Sequence, residues 1–472
     1  MPSVKMNQGN NVLGTQPIPG MIWKFAIPAI ISAMTNQVYN LIAQVYIGWS
    51  VGDLGIAATN VAFPLAILIT ALSALFGMGG AAKFGLYMGQ GKPEEASQTI
   101  GNALVLMVVS GLAVSIAATV FLRPLLYAFG ATEAIMTYAI PYTLITNIGI
   151  PFGILAVGAS YLIRADGSPS FSMLVVLSGV IFNLIAAPVF LFGLEMGIGG
   201  VALATTLGQM LSSAVAIYYL RVKFKSVSLK REGFQLRGAV IKGVCALGSA
   251  AFFTHLAAAA VQIVQSNALR YYGAQSIYGS EATLAAAGAV IKVMAFLMSV
   301  VIGISLGCQP IFSYNYGSKR YDRVKEAYKL AVSYATMVSV IAFLCIQIFP
   351  RPILSIFGSG NPLFYDFAVQ YMHIYLFMTF ANGIQPVTST FFSSIGKARM
   401  GFWMSLVRQV ILLMPLLLIL PIFWGINGVL WAGPLADGIA VVLVILFAAR
   451  EMRIMTGLQL KQVPDAGIAR NS

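Results

Sequence analysis

The sequence predicts an all-α polytopic membrane protein whose twelve transmembrane helices form two pseudo-symmetric six-helix bundles. Three observations predict it. Apolar residues make up 59% of the 472 residues and charged ones 9%, against roughly 25% charged in soluble domains. The apolar residues gather into twelve stretches of about 20 residues or more, each able to cross a ~30 Å hydrocarbon core as a helix. The second half also repeats the first. Arg123-Pro124-Leu125-Leu126-Tyr127-Ala128-Phe129-Gly130 returns as Arg351-Pro352-Ile353-Leu354-Ser355-Ile356-Phe357-Gly358, five identities in eight positions at an offset of 351 − 123 = 228. Gly197-Ile198-Gly199-Gly200-Val201-Ala202-Leu203-Ala204 returns as Gly425-Ile426-Asn427-Gly428-Val429-Leu430-Trp431-Ala432, again at 425 − 197 = 228. One offset shared by two segments identifies a tandem duplication. In a membrane chain it points to two like bundles facing each other across a pathway.

The first repeat supplies spans at 21–47, 54–80, 98–121, 133–160, 168–191 and 198–222. The second supplies 239–269, 282–310, 325–349, 366–391, 399–423 and 425–449. Six spans return each copy to its starting side, so the copies share a topology and are related by a two-fold along the membrane normal. Pro28 predicts a kink in the first helix. Between the second and third helices of each half, Gly89-Gln90-Gly91-Lys92 corresponds to Gly317-Ser318-Lys319-Arg320, a tight reversal leading into charges at the water interface. Between the fourth and fifth, Arg164-Ala165-Asp166-Gly167 corresponds to the turn Ser394-Ile395-Gly396-Lys397, glycine to glycine 396 − 167 = 229 residues on. The expected divisions are an N-terminal tail 1–20, a bundle 21–222, a basic linker 223–238, a bundle 239–452 and a C-terminal tail 453–472.

Charge sets the orientation. Lys and Arg in short loops stay on the cytoplasmic side. With both termini cytoplasmic, the inner segments hold 23 of the 28 Lys and Arg. The outer loops hold Arg123, Arg270 and Arg351, diluted by Asp53, Glu133, Glu195, Glu281 and Asp366. The net charge of +14 is therefore explained by topology in a cell (inner) membrane and by an anionic inner leaflet, without nucleic acid. The first apolar segment is too long for a signal peptide, so no cleavage is expected. Cys245, Cys308 and Cys345 lack metal or redox spacing and read as small buried side chains. Gly77-Met78-Gly79-Gly80 has no preceding strand and reads as a helix-packing surface, as do Gly149 with Gly153 and Gly303 with Gly307.

Ionisable groups inside a bilayer cost about 2.5–3.5 kcal/mol each, which makes every one a functional candidate. Asp437 lies about twelve residues into the last helix, roughly 18 Å from its end at ~1.5 Å per residue. Lys292 and Arg408 sit at comparable depth. Two readings stand: a buried ion pair or triad that fixes packing, or a carboxylate that exchanges a proton as the halves rock. Polar stripes at helical spacing mark a cavity or interhelical hydrogen bonds. Ser32, Asn36 and Tyr39 form one on the first helix, beside Gln37, Asn40 and Gln44. His255, Gln262 and Ser266 form another on the seventh, and Tyr371, Tyr375, Asn382 and Gln385 a third on the tenth. Neither His255 nor His373 has a carboxylate or cysteine at ligand spacing, so no metal is expected. No nucleophile with a base and no phosphate loop stands out, which argues against an enzyme.

With these features in place, the chain resembles the multidrug and toxin extrusion (MATE) family, most closely its MepA-like bacterial branch, over residues 20–455. The marks are Gly303 with Gln309-Pro310, then Tyr314-Asn315-Tyr316-Gly317, Ile395-Gly396-Lys397-Ala398, Arg408-Gln409 and Pro434-Leu435-Ala436-Asp437. The resemblance implies a MATE-like fold of two lobes around a V-shaped cleft. It also implies a monomer that exports amphipathic, drug-like organic cations in exchange for H⁺ or Na⁺, with no other cofactor. In the first lobe, where the family carries carboxylates, this chain reads Tyr39-Asn40-Leu41-Ile42-Ala43-Gln44 and Asn183-Leu184-Ile185-Ala186-Ala187-Pro188. Ala43 and Ala187 thus stand in place of two acids. The remaining matched residues, Tyr39, Tyr142, Asn183 and Thr205, hydrogen-bond but do not titrate near neutral pH. This leaves Asp437 as the coupling candidate, with Lys292 and Arg408 tuning it. A flippase for lipid-linked sugars shares the architecture but needs a strongly cationic cavity. A transport-inactive membrane sensor or scaffold is the alternative from another class.

Overall fold

A backbone without water to bond must satisfy its own amides, and helices do so within one segment. The computed structural model describes residues 11–224, 226–229, 231–355 and 362–460. Among these, eleven helices are long and apolar enough to cross a membrane. The expected outer parts of both tails and the end of the repeated motif, Ile356-Phe357-Gly358, lie outside the described residues.

The first half comprises α1 (Ile18–Ser50), α2 (Asp53–Gly89), α3 (Pro93–Val120), α4 (Glu133–Ala165), α5 (Pro169–Gly193) and α6 (Gly197–Lys223). The second comprises α7 (Gly238–Ala274), α8 (Gly279–Gly317) and α9 (Tyr321–Ile348), then a broken α10, α11 (Ala398–Trp424) and α12 (Ile426–Leu460). The tenth apolar stretch, expected as one helix, is interrupted. It runs as Pro362–Tyr375 and Ile384–Ser394, joined through a tight turn at Phe377–Ala381. Pro386 explains the break, since it has no N–H for the Asn382 carbonyl and its ring crowds the preceding turn. Gly383 holds the interruption against α9, because a Cβ there would approach the Ala335 carbonyl oxygen at 2.6 Å. Pro28, by contrast, lies inside an unbroken α1, with Ser32 Oγ donating to its carbonyl at 2.8 Å.

The duplication survives in backbone detail. Gly197 and Gly425 turn the chain at φ +57° and +55°, and Gly167 and Gly396 at +86° and +85°. Gly91 at φ +72° has its partner 228 residues later in Lys319, which takes the same left-handed turn at +59° without being glycine.

The helix ends divide between two faces. The α2–α3, α4–α5, α6–α7, α8–α9 and α10–α11 connections share one face with the start of α1 and the end of α12. Most Lys and Arg lie there, and this is the basic face below. Large apolar side chains such as Ile116, Ile185, Val222 and Val442 are exposed on the flanks, as lipid contact requires.

The core near the basic face ignores the boundary between the halves. Leu13, Ile18, Ile22 and Phe25, from the start of the chain, pack with Ile304, Phe312, Tyr328 and Phe391 of the second half in one buried cluster. Ahead of α1, Asn11–Thr15 forms a short helix whose end is clasped by α8 and α9. Asn315 Nδ2 and Arg323 Nη2 donate to the Leu13 carbonyl, Arg320 Nη1 to Gly14 and Arg323 Nη2 to Gln16. These donors satisfy carbonyls that a helix end leaves without partners.

Candidate functional site

Among the glycines of the described residues, close backbone approach between the halves falls at the end nearer the basic face. A Cβ at Gly79 would strike the Val244 carbonyl of α7, one at Gly248 the Leu75 carbonyl of α2, and one at Gly89 the Tyr314 carbonyl of α8. Gly307 lies against Ala26 with 2.7 Å to a hypothetical Cβ, and Gly303 sits one turn further along against Ile30. The glycine pairs singled out in the sequence therefore serve packing: absent side chains let α1 meet α8 and α2 meet α7 backbone to backbone. Polar bonds join the same seam. Gln309 Nε2 donates to Met78 O at 3.0 Å, and Lys83 Nζ donates to Ala239 O and Val240 O, each at 3.2 Å.

Away from the basic face the halves part around a cavity of about 620 Å³. Its walls are residues 36–47 of α1, 59–70 of α2 and 142–157 of α4, joined by parts of α5 and α6 and, from the second half, by Gln262, Ile291, Lys292, Ala295 and Phe296. The first two stretches lie in the helix halves remote from the basic face, and the third runs from that half of α4 past its middle. The cavity is thus a cleft sealed at the basic face and reaching toward the opposite one.

Asn36, Tyr39, Ala43, Tyr142, Asn183 and Thr205 all line this cleft. Three of them meet through one hydroxyl. Thr205 Oγ1 receives Asn183 Nδ2 at 3.0 Å, pairs with Tyr39 Oη at 3.3 Å, and donates to Val201 O at 2.9 Å. Ala187 is set apart, 2% exposed in a cluster with Ala186 and Ala204. Of the seventh-helix stripe, Gln262 faces the cleft, whereas His255 has no hydrogen bond among the described contacts and does not line it.

The second half holds its own polar centre. Asp437 of α12, 3% exposed, accepts from Arg408 Nε at 2.5 Å and from Asn382 Nδ2 at 2.9 Å. Each partner is placed by an irregularity. Asn382 follows the turn that breaks α10, and Arg408 lies in a widened turn of α11 at Val407–Leu413. Tyr371 and Tyr375 stack beside this centre with ring centroids 4.9 Å apart, and Gln265 Nε2 donates to Tyr371 Oη at 2.6 Å. Of the ion pair or triad expected from the sequence, the pair is present: Lys292 lines the cleft, and its one described hydrogen bond is to Gln44 Oε1 at 3.5 Å. Its position on the cleft-facing side of α8 separates it from α11 and α12.

Sequence reasoning missed Gln265 and Gln209. The repeat offset could have found both, since 437 − 228 = 209 and 265 − 228 = 37. Gln209 occupies in the first half the position Asp437 holds in the second. It lies over Gly149 and Gly153, and its buried Oε1 has no hydrogen-bond partner. Gly153 in turn stands where Asn382 does, at 382 − 229 = 153. Two copies of one design have diverged into a neutral cleft wall and a charged, closed centre.

Membrane helices in two duplicated halves, meeting at one face and parted around a cleft toward the other, define a two-lobed membrane transporter. The MatE family pattern matches residues 28–189 and again 256–419, and these starts differ by 256 − 28 = 228, the repeat offset. The chain belongs to the MatE family of multidrug transporters. It is similar to the multidrug export protein MepA of Staphylococcus haemolyticus, with 22% identity over 88% of this chain and 89% of the relative. An FAD transporter of Shewanella oneidensis is 23% identical over 89% of this chain and 92% of its own. The MATE multidrug transporter DinF-BH, solved as a complex, shows 32% identity and a TM-score of 0.86, covering 94% of this chain and 98% of that one.

Proposed function

We propose that the protein is a secondary antiporter that exports amphipathic organic compounds across a cell membrane by alternating access, in exchange for H⁺ or Na⁺. The basic face is assigned to the cytoplasm, following the distribution of Lys and Arg, so the cleft opens outward. The observation that carries this reading is the one-sided cleft, with every close glycine contact between the halves at its sealed end. Helices that meet backbone to backbone at glycines can part as units once the few side-chain bonds of the seam are released, and parting them while the far rim closes would present the cleft to the other side.

Ion coupling is assigned to Asp437. Among the described residues it is the carboxylate deepest in the bundle, and its two partners come from the break in α10 and from α11, so motion of either changes its environment directly. The hydroxyl and amide group around Thr205 has no titratable carboxylate and is assigned to cargo contact. The names of the relatives, multidrug export in one and FAD transport in another, leave the cargo to be decided by this chain's own cleft.

The test is reconstitution into vesicles. Cargo flux should respond to an imposed pH or sodium gradient, and Asp437→Asn should abolish cargo-induced ion movement. Coupling unchanged in that variant removes Asp437 from the mechanism, and no flux of any compound under either gradient overturns the export reading.

A further inference from the structure

The charge carried by the cleft wall is unusual for a site expected to hold cations. Its lining contains neither Asp nor Glu among the described residues. One formal charge is present, the ammonium of Lys292, which is exposed to the cavity. That ammonium has no carboxylate within 4.0 Å among the described ion pairs, and its contact with Gln44 is long at 3.5 Å. The deep carboxylate of Asp437 is already committed to Arg408 and Asn382, and Asp437 does not line the cavity.

An unpaired ammonium in a low-dielectric cleft repels a cationic guest and attracts an anionic one, and it acts more strongly there than in bulk water. The remaining polar wall supports this. Asn36, Gln37, Asn40, Asn60 and Gln262 line the same cleft as Lys292, and each carries amide N–H donors. Phe63 and Phe296, with the ring faces of Tyr39 and Tyr142, supply apolar surface for the body of a guest. A cleft whose lining combines one positive charge, amide donors and aromatic surface suits an amphipathic anion.

We propose that the cleft selects amphipathic organic anions, with the anionic group held by Lys292 and amides of the cleft wall. This rests on the export reading for its physiological meaning, but binding can be tested without transport. A cation held by aromatic faces alone is the competing outcome.

The test uses the full chain in lipid nanodiscs with two xanthene dyes of similar size and opposite charge, fluorescein and rhodamine 6G, followed by fluorescence anisotropy. Fluorescein should bind more tightly. Lys292→Gln should weaken it by about tenfold or more, the scale of one charge-assisted hydrogen bond, while changing rhodamine 6G affinity less than twofold or improving it. Lys292→Glu should reverse the preference, and size-exclusion profiles should confirm that both variants remain folded. Tighter rhodamine 6G binding to the unaltered protein, or equal effects of Lys292→Gln on both dyes, overturns the inference. Lys292-dependent fluorescein binding without flux in vesicles upholds this seat and sinks the export reading. Rhodamine 6G flux without Lys292-dependent anion binding does the reverse.

Discussion

Removing both members of the Asp437–Arg408 pair should cost little more than removing one. Asp437 is 4% and Arg408 21% exposed at the side chain, and Nε and Oδ1 are 2.5 Å apart. At an effective dielectric constant of ~20, unit charges ~4 Å apart attract by about 4 kcal/mol. Desolvation offsets most of that in the intact pair, yet deleting one partner leaves the other buried and uncompensated, at about 3–5 kcal/mol. Asp437→Asn and Arg408→Leu should therefore each destabilise by about 3 kcal/mol, and the double variant by roughly the cost of either alone. The coupling is then about 3 kcal/mol, two orders of magnitude in an unfolding equilibrium. Detergent-induced unfolding followed by tryptophan fluorescence measures it directly, because Trp403, Trp424 and Trp431 lie on α11 and α12. Additive single effects, with coupling below about 0.5 kcal/mol, would refute the reasoning.

Other expectations follow from the same geometry. Gly248→Val collides with the Leu75 carbonyl, so overpacking of about 1–3 kcal/mol should loosen the sealed end. In a Cys345→Ser background, thiol labelling of partly buried Cys245 one turn away should rise several-fold, and unchanged labelling would argue against that seam. Ala43→Asp adds a carboxylate to the cleft wall and should shift dye preference toward rhodamine 6G and alter ion dependence. Ala187→Asp, at 2% exposure, should instead lower thermal stability by about 2.5–3.5 kcal/mol, and equal behaviour of the two variants would contradict their different placement. Arg323→Ala releases the Leu13 and Gln16 carbonyls, so amide exchange over residues 11–16 should quicken, as protection factors will show.

Much of the architecture was legible because duplication and apolarity are properties of long stretches. The 228-residue offset, read from two short motifs, is the spacing at which the family pattern matches twice. The polar stripe of α1 is a cleft wall because 3.6-residue spacing keeps Asn36, Tyr39 and Gln44 near one side. The interruption of α10 was harder to see. Its composition stays apolar through Leu376–Ala381, and the cause is local, one proline and one close contact at Gly383. Depth along a helix likewise placed Lys292 with Asp437 and Arg408, but depth ignores the direction a side chain faces. Rotation about the helix axis sends Lys292 to the cleft and Asp437 into the second bundle. Gln209 carried no signal of its own, since a lone glutamine in a membrane helix gains meaning only when aligned with its counterpart across the repeat.

The central claim is that the halves rock about a cleft that opens on one face at a time. Spin labels at Ala128→Cys and Gln275→Cys, exposed on the rim remote from the basic face, form one pair. Lys92→Cys and Lys319→Cys, exposed on the basic face, form a second. Electron–electron resonance distances in nanodiscs, taken across pH and with fluorescein present or absent, should change in opposite senses, the rim pair shortening as the basic-face pair lengthens. Distances that stay fixed under every condition, or that lengthen together, would contradict it.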